Sequence, residues 1–248
     1  MLNGNSTVVF DSAELYDSST GRWAMTSNMN AARSLHTASV LANGKVLIAG
    51  GVAYNANYNL MANSAELYDP VTRSWTTTGN IIMARYWHTA SILSNGKILI
   101  TGGVICCEGS NMPLNTAEIY DPSTGSWTMT SNMTIARYWH TASILANGKV
   151  LVVGGVSYSG NNSVLLNSAE LYDPSTGSWT MTNNMTFQRS SHTAAILSNG
   201  KVLVAGGYAT NDNNDNLSNT TELYDPLTGL WELTGNITIL ACCIVICQ

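Results

Sequence analysis

The sequence predicts an all-β fold of small four-stranded antiparallel sheets stacked face on face, and three observations predict it. A Glu-x-Tyr-Asp segment recurs five times, at Glu14, Glu66, Glu118, Glu170 and Glu222, always 52 residues apart. Arg-x-x-His, Asn-Gly-Lys and Gly-Gly each recur four times in the same phase. Turn residues return after every strand-length stretch, and no apolar series holds a helical period.

The unit beginning at Arg137 illustrates the elements, here called a to d. His140–Leu145 is a half-alternating strand a. Asn147-Gly148 predicts a tight type I′ hairpin, since Gly and Asn tolerate positive φ. Val150–Val153 is a continuous β-branched and apolar run, as in a strand b buried on both faces. Gly154-Gly155 ends it, where a missing Cβ permits close backbone approach. A long connection leads to strand c, Ala169–Asp173. Asp-Pro-Ser-Thr-Gly is a turn, with Pro at the first central position and Gly at the left-handed one. Ser178–Met181, carrying Trp179, is strand d. Such a sheet has apolar residues on both faces and cannot bury them alone; radial stacking of similar sheets into a propeller can.

Composition narrows the function classes. Charged residues make up 10% of the 248, against roughly 25% in average proteins. A net charge of −5 excludes a basic nucleic-acid binder. The apolar run Ile237–Cys247 is about half the ~20 residues a membrane helix needs, so no membrane span is expected. Residues 1–10 lack a signal-peptide pattern, and the compartment stays unknown. Five Cys in two adjacent pairs and a single (Cys106, Cys107, Cys242, Cys243, Cys247) form no disulfide framework. Seven N-x-[ST] sequons begin at Asn5, Asn132, Asn161, Asn184, Asn216, Asn219 and Asn236, a weak pointer to secretion in so Asn- and Thr-rich a chain. One Arg and one Glu per unit suggest a repeated structural ion pair.

The segments R-x-x-H-T-A, N-G-K-V-L-V-x-G-G and A-E-L-Y-D-P-x-T-G-x-W together resemble the kelch repeat. They are similar to the kelch repeats of multi-repeat kelch proteins and of the galactose-oxidase-like central propeller. The resemblance covers about residues 9–235 and implies a kelch-type β-propeller forming one domain over residues 1–248. Full blades then run 33–80, 85–132, 137–184 and 189–236, with a half blade at 9–28 and a C-terminal strand within 237–248. In the tail, Ala241 stands in register where Arg is due and Ile244 where His is due. Two readings follow, a five-blade ring closed by a three-stranded hybrid blade and a fragment of a larger ring.

In such a blade the a–b and c–d turns share one rim, nearly invariant between units. The d–a and b–c connections share the other, and that rim varies. Variation inside a strict repeat marks positions the fold does not dictate. Its candidate binding residues are Arg33, Arg85, Tyr86, Trp87, Arg137, Tyr138, Trp139 and Arg189, which the kelch resemblance places near the mouth of the central channel. Arg, Tyr and Trp are enriched in interface hot spots, and aromatic faces also stack on sugars. The expected function is therefore a protein- or peptide-binding scaffold. A carbohydrate-binding or sugar-modifying propeller is the alternative. A galactose-oxidase-like copper enzyme is the weakest reading, because the Tyr-His dipeptide that the resemblance requires is missing. No catalytic residue, cofactor or metal site is expected. The four His occupy one repeated position and read as fold determinants bonded to backbone, and the oxygen-rich run Asn211–Asn216 reads as a polar loop rather than a Ca²⁺ site.

Overall fold

The computed structural model describes residues 9–54, 59–107, 110–160, 162–211 and 214–238. All regular structure in them is β-strand. Four four-stranded antiparallel sheets run in the order a-b-c-d. In the third, Thr141–Ile144 pairs with Val150–Val153, which pairs with Ala169–Asp173, which pairs with Ser178–Thr182. The half blade is a two-stranded sheet, Glu14–Asp17 with Arg22–Met25. The tail expected to supply a further strand lies almost wholly outside the described residues. Strands a lie beside one another from blade to blade, so they form the inner wall.

The central b strands are buried on both faces, with Val150, Leu151, Val152 and Val153 inaccessible to water. They pack into neighbouring blades: Val150 and Val152 of the third blade share a cluster with Leu99 and Met133. Removing a Val or Leu side chain from water contributes about 1.5–3 kcal/mol, so these interfaces hold the blades together. Aromatic side chains then lock each blade to its predecessor. Tyr120 and Trp127 face each other across strands c and d with ring centroids 5.0 Å apart. The Trp127 indole donates to the Gly79 carbonyl at 2.8 Å, and the Tyr120 hydroxyl meets Thr78 Oγ1 at 2.8 Å. The same pattern recurs in the next two blades. In the half blade the corresponding Tyr16 and Trp23 are 54% and 66% exposed.

Both turns differ in detail from expectation or extend it. The a–b hairpin is one residue longer than a type I′ turn: Leu145 N–H donates to Lys149 O, and Gly148 N–H donates to Leu145 O. Only Gly148 takes a positive φ, +80°; this is a type I turn followed by a left-handed Gly. Asn147 instead uses its side chain, accepting the Lys149 N–H at 3.0 Å. Lys149 reaches across to Asp173 at 3.2 Å, tying this turn to the c–d turn. Each full blade repeats that half-exposed pair.

The b–c connections hold a larger departure. After Gly-Gly each builds its own hairpin rather than a loop: Val52–Tyr54 with Asn59–Met61, Val104–Cys107 with Ser110–Pro113, Val156–Ser159 with Asn162–Leu165, and Tyr208–Asn211 with Asn214–Leu217. The oxygen-rich run therefore lies on paired strands, with residues 212 and 213 outside the described set. Gly154 and Gly155, at φ +62° and +98°, turn the chain out of the blade. A Cβ on Gly154 would lie 2.6 Å from the Arg189 carbonyl, and one on Gly155 2.6 Å from the Tyr138 carbonyl.

The four His are fold determinants, and three of them are bonded to side chains while His36 meets the Arg33 backbone. His88, His140 and His192 each place Nε2 about 3 Å from a Thr hydroxyl of the preceding blade, at Thr37, Thr89 and Thr141. Burial first, and the nearby Arg85 and Arg189 second, hold His88 and His192 down to about 3. His140 and His36 are lowered in the same way. A ring whose pKa falls on folding stays neutral in the native state while the unfolded chain takes up protons. Stability is then complete above the unfolded value, about 6.5, and is lost as pH falls toward 3. The slope approaches about 1.4 kcal/mol per pH unit for each such ring. Thermal midpoints measured between pH 7.5 and 4.5 should fall continuously below about 6.5, before the aspartates titrate; a flat profile over that window would contradict neutral buried rings.

Candidate functional site

The variable rim is built on the four Arg residues, but their guanidinium groups are not part of its surface. Arg137 is fully buried. Its Nη1 donates to the carbonyls of Gly154 and Ser168 at 2.9 and 3.1 Å, and its Nη2 donates to Glu170 at 2.8 Å. Glu170 in turn accepts the backbone N–H groups of Thr134 and Ile135. Burial lowers the pKa of Arg137 and the Glu170 charge opposes that shift. The Arg137 carbonyl accepts the Gly103 N–H of the preceding blade at 2.9 Å. Arg33, Arg85 and Arg189 are held alike by Glu66, Glu118 and Glu222. The repeated ion pair expected from one Arg and one Glu per unit is present. The same burial keeps the four guanidinium groups off the surface of the rim.

The residue after each Arg anchors the hairpin. Tyr138 and Val156 exchange backbone hydrogen bonds at 3.1 and 2.8 Å, and Ser34, Tyr86 and Ser190 pair likewise. Tyr86 and Tyr138 pack with Val52, Val104 and Val156 into one cluster beneath the rim. The Tyr86 hydroxyl donates to Asn111 Oδ1 at 2.6 Å. The Tyr138 hydroxyl is pushed up to about 12, by burial first and by neighbouring Tyr158 second.

The next residue takes left-handed backbone in every blade: Leu35 (φ +58°), Trp87 (+54°), Trp139 (+54°) and Ser191 (+52°). That conformation costs an ordinary L-residue roughly 1–2 kcal/mol, so the fold demands the angle and not the indole. Trp87 and Trp139 lie 4.6 Å apart, and Trp87 stacks on Tyr138 at 5.8 Å. Trp87 is half-buried in this ladder. Trp139, at its end, is 38% exposed.

Trp139 borders a cavity of about 580 Å³ between the third and fourth blades, walled also by Tyr138, Val156, Val164, Leu165 and Tyr208. Ser163, Gln188 and Ser190 supply its polar edge. Of the eight residues singled out from sequence, the structure brings only Tyr138 and Trp139 to this cavity. Tyr208 was missed, although the signal was available: it stands in register where the other three blades carry Val52, Val104 and Val156. Among the described residues no group of three His, Cys, Asp or Glu side chains could hold a metal.

The backbone at Trp139 yields a stability contrast. In Trp139→Asn, relief of the left-handed strain offsets ring contacts of about 0.5–1.5 kcal/mol each. The change in unfolding free energy should stay within about 1 kcal/mol, while Trp127→Ala should cost about 3–5 kcal/mol. Urea denaturation reads both, and a loss above ~3 kcal/mol in Trp139→Asn would make that indole part of the framework.

Comparison with known proteins agrees with this architecture. The KLHDC2/KLHL20/DRC7 Kelch-repeats domain family matches residues 35–238. Kelch-like protein 15 of Danio rerio is 28% identical over 88% of the chain and 36% of its own length. Kelch-like protein 23 of Homo sapiens is 27% identical over 92% of the chain and 37% of its own length. The chain thus spans little more than a third of these relatives. The solved structure of YjhT superposes with a TM-score of 0.70 at 17% identity, covering 88% of this chain and 75% of that one, a likeness of fold alone. With the family match extending over most of its length, this chain belongs to the kelch-repeat β-propellers.

Proposed function

We propose that this propeller is a protein-binding module that receives a peptide segment of its partner on the variable rim, centred on Trp139 and Tyr208. One observation carries the reading: an apolar cavity opens where the repeat departs from itself, while the opposite rim repeats its Lys–Asp ties blade after blade. Partly exposed aromatic side chains at the mouth of a preformed cavity are the usual anchors of such contacts. The match to kelch-like proteins supports the same reading.

Carbohydrate binding is the second reading, favoured by the exposed rings of Trp139 and Tyr208 beside the Ser163 and Gln188 side chains. Sorting a random peptide display library on the immobilised chain decides between them. Enriched peptides should bind the native chain and lose at least about tenfold in affinity, ~1.4 kcal/mol, on the Trp139→Asn, Tyr208→Ala double variant. Enrichment indifferent to that variant would move the site elsewhere. Glycan-array binding without peptide enrichment would replace the proposal with the carbohydrate reading.

A further inference from the structure

We infer that the half blade is an acceptor edge for a two-stranded hairpin of a partner polypeptide, one that carries Arg, Thr and Lys in the spacing R-x3-T-x7-K. Every full blade shows what strand c takes on its other side. There strand b pairs with it residue by residue, Val46 against Tyr68 and Ile48 against Glu66 in the first blade. In the half blade, Glu14–Asp17 is paired on one side only among the described residues, with Arg22–Met25. An unpaired strand edge presents a row of N–H and C=O groups that an added strand satisfies. The edge already has the side-chain geometry of a finished blade. Tyr16 and Trp23 lie 5.2 Å apart at 46°, against 5.0 Å and 44–47° in the full blades.

Three side chains around this edge say what chemistry fits it. Glu66, Glu118, Glu170 and Glu222 are each sealed against the Arg that opens strand a of their own blade. Glu14, at the same repeat position, is exposed and meets no cation among the described residues. Asp69, Asp121, Asp173 and Asp225 each take a Lys from the a–b turn. Asp17 holds only its neighbours Ser19 and Thr20. His88, His140 and His192 each meet a strand-a Thr of the preceding blade. His36 faces the half blade and meets no hydroxyl among the described residues. It lines a cavity of about 260 Å³ with Phe10, Ala13, Met29 and Ile48.

In a full unit the groups that answer these three lie on one a–b hairpin, as Arg33, Thr37 and Lys45 do in the first blade. Two carboxylates at fixed positions thus call for two cations at a fixed spacing, and His36 for a hydroxyl between them, a match of charge and register together. A second copy of this chain could offer such a hairpin only by opening one of its own blades, where each Arg and Lys is already paired. Residues 236–248 contain neither Arg nor Lys. The fitting occupant is therefore a hairpin of another polypeptide. Its site is separate from the cavity between the third and fourth blades.

Hydrogen exchange read by mass spectrometry tests this, with the native chain and a synthetic peptide of sequence 137–155, which carries Arg137, Thr141 and Lys149. Amides of Glu14–Asp17 in the native chain alone should exchange freely at two protein concentrations, and should slow by about tenfold or more under saturating peptide. Arg137→Ala in the peptide and Glu14→Gln in the chain should each weaken binding by about tenfold. The two together should cost little more than either, because both remove the same pair. Glu14→Gln alone should leave the melting temperature of the native chain unchanged, since that carboxylate has no counterion until the hairpin binds. Fusing the 137–155 sequence ahead of Met1 through a flexible linker supplies the hairpin at high effective concentration. That fusion should melt above the same fusion with Arg137→Ala in the added copy. Protection of Glu14–Asp17 in the native chain alone would overturn the inference, in favour of the chain's own tail if it is independent of concentration and of a second copy if it grows with concentration. Peptide binding that protects another region, or that ignores both substitutions, would overturn it as well. So would no peptide binding together with no gain in the fusion.

Discussion

A guanidinium and a carboxylate sealed together inside each blade are the constraint on which the remaining architecture leans. Arg137 joins the end of strand b, the start of strand c and Glu170, and Glu170 holds the incoming backbone at Thr134 and Ile135. The carbonyl of the same Arg receives an N–H from the preceding blade. One residue thereby fixes both the interior of its blade and the distance to the preceding one. Buried charges are tolerated here because the charge is paired and each partner also bonds backbone, Nη1 of Arg137 to two carbonyls and Glu170 from two N–H groups; an ion pair without those extra bonds would barely repay its desolvation.

This arrangement separates architecture from recognition. The Gly-Gly pair must approach the next blade's backbone, so its identity is fixed by space and φ. The Tyr and Trp of strands c and d clamp the preceding blade through hydroxyl and indole bonds. What remains is the surface above the staple, where the residue two after Arg is held in left-handed backbone irrespective of its side chain. Leu, Trp and Ser all occur there. At two adjacent blades the position carries indoles at an energetic cost, and one of them walls a cavity.

Much of the fold could be read from the chain because the blade writes its own punctuation. Strands Val150–Val153 and Ala169–Asp173 were bounded by Gly-Gly, Asn-Gly and Asp-Pro, each with a backbone reason. The Arg–Glu pair was implied by one of each per unit. The hairpins after Gly-Gly were not legible, because their sequences differ from blade to blade and their register is set by backbone pairing to the residue after Arg. The candidate site was read only in part. Adjacency in sequence grouped Arg137, Tyr138 and Trp139, whereas the structure sends them to the interior, the underlying cluster and the surface in turn. Tyr208 and Leu165 reach the cavity through hairpins that sequence spacing did not reveal.

The staple itself is the most direct point of attack. Glu170→Gln keeps the size of the side chain and removes the charge, leaving Arg137 buried without its counterion. Equilibrium urea unfolding should show a loss of about 3–5 kcal/mol, against less than about 1 kcal/mol for Lys149→Ala at the half-exposed pair of the same blade. Equal, small losses in the two variants would show that the blades are held by packing alone, and would contradict the account of the buried pair as their organising constraint.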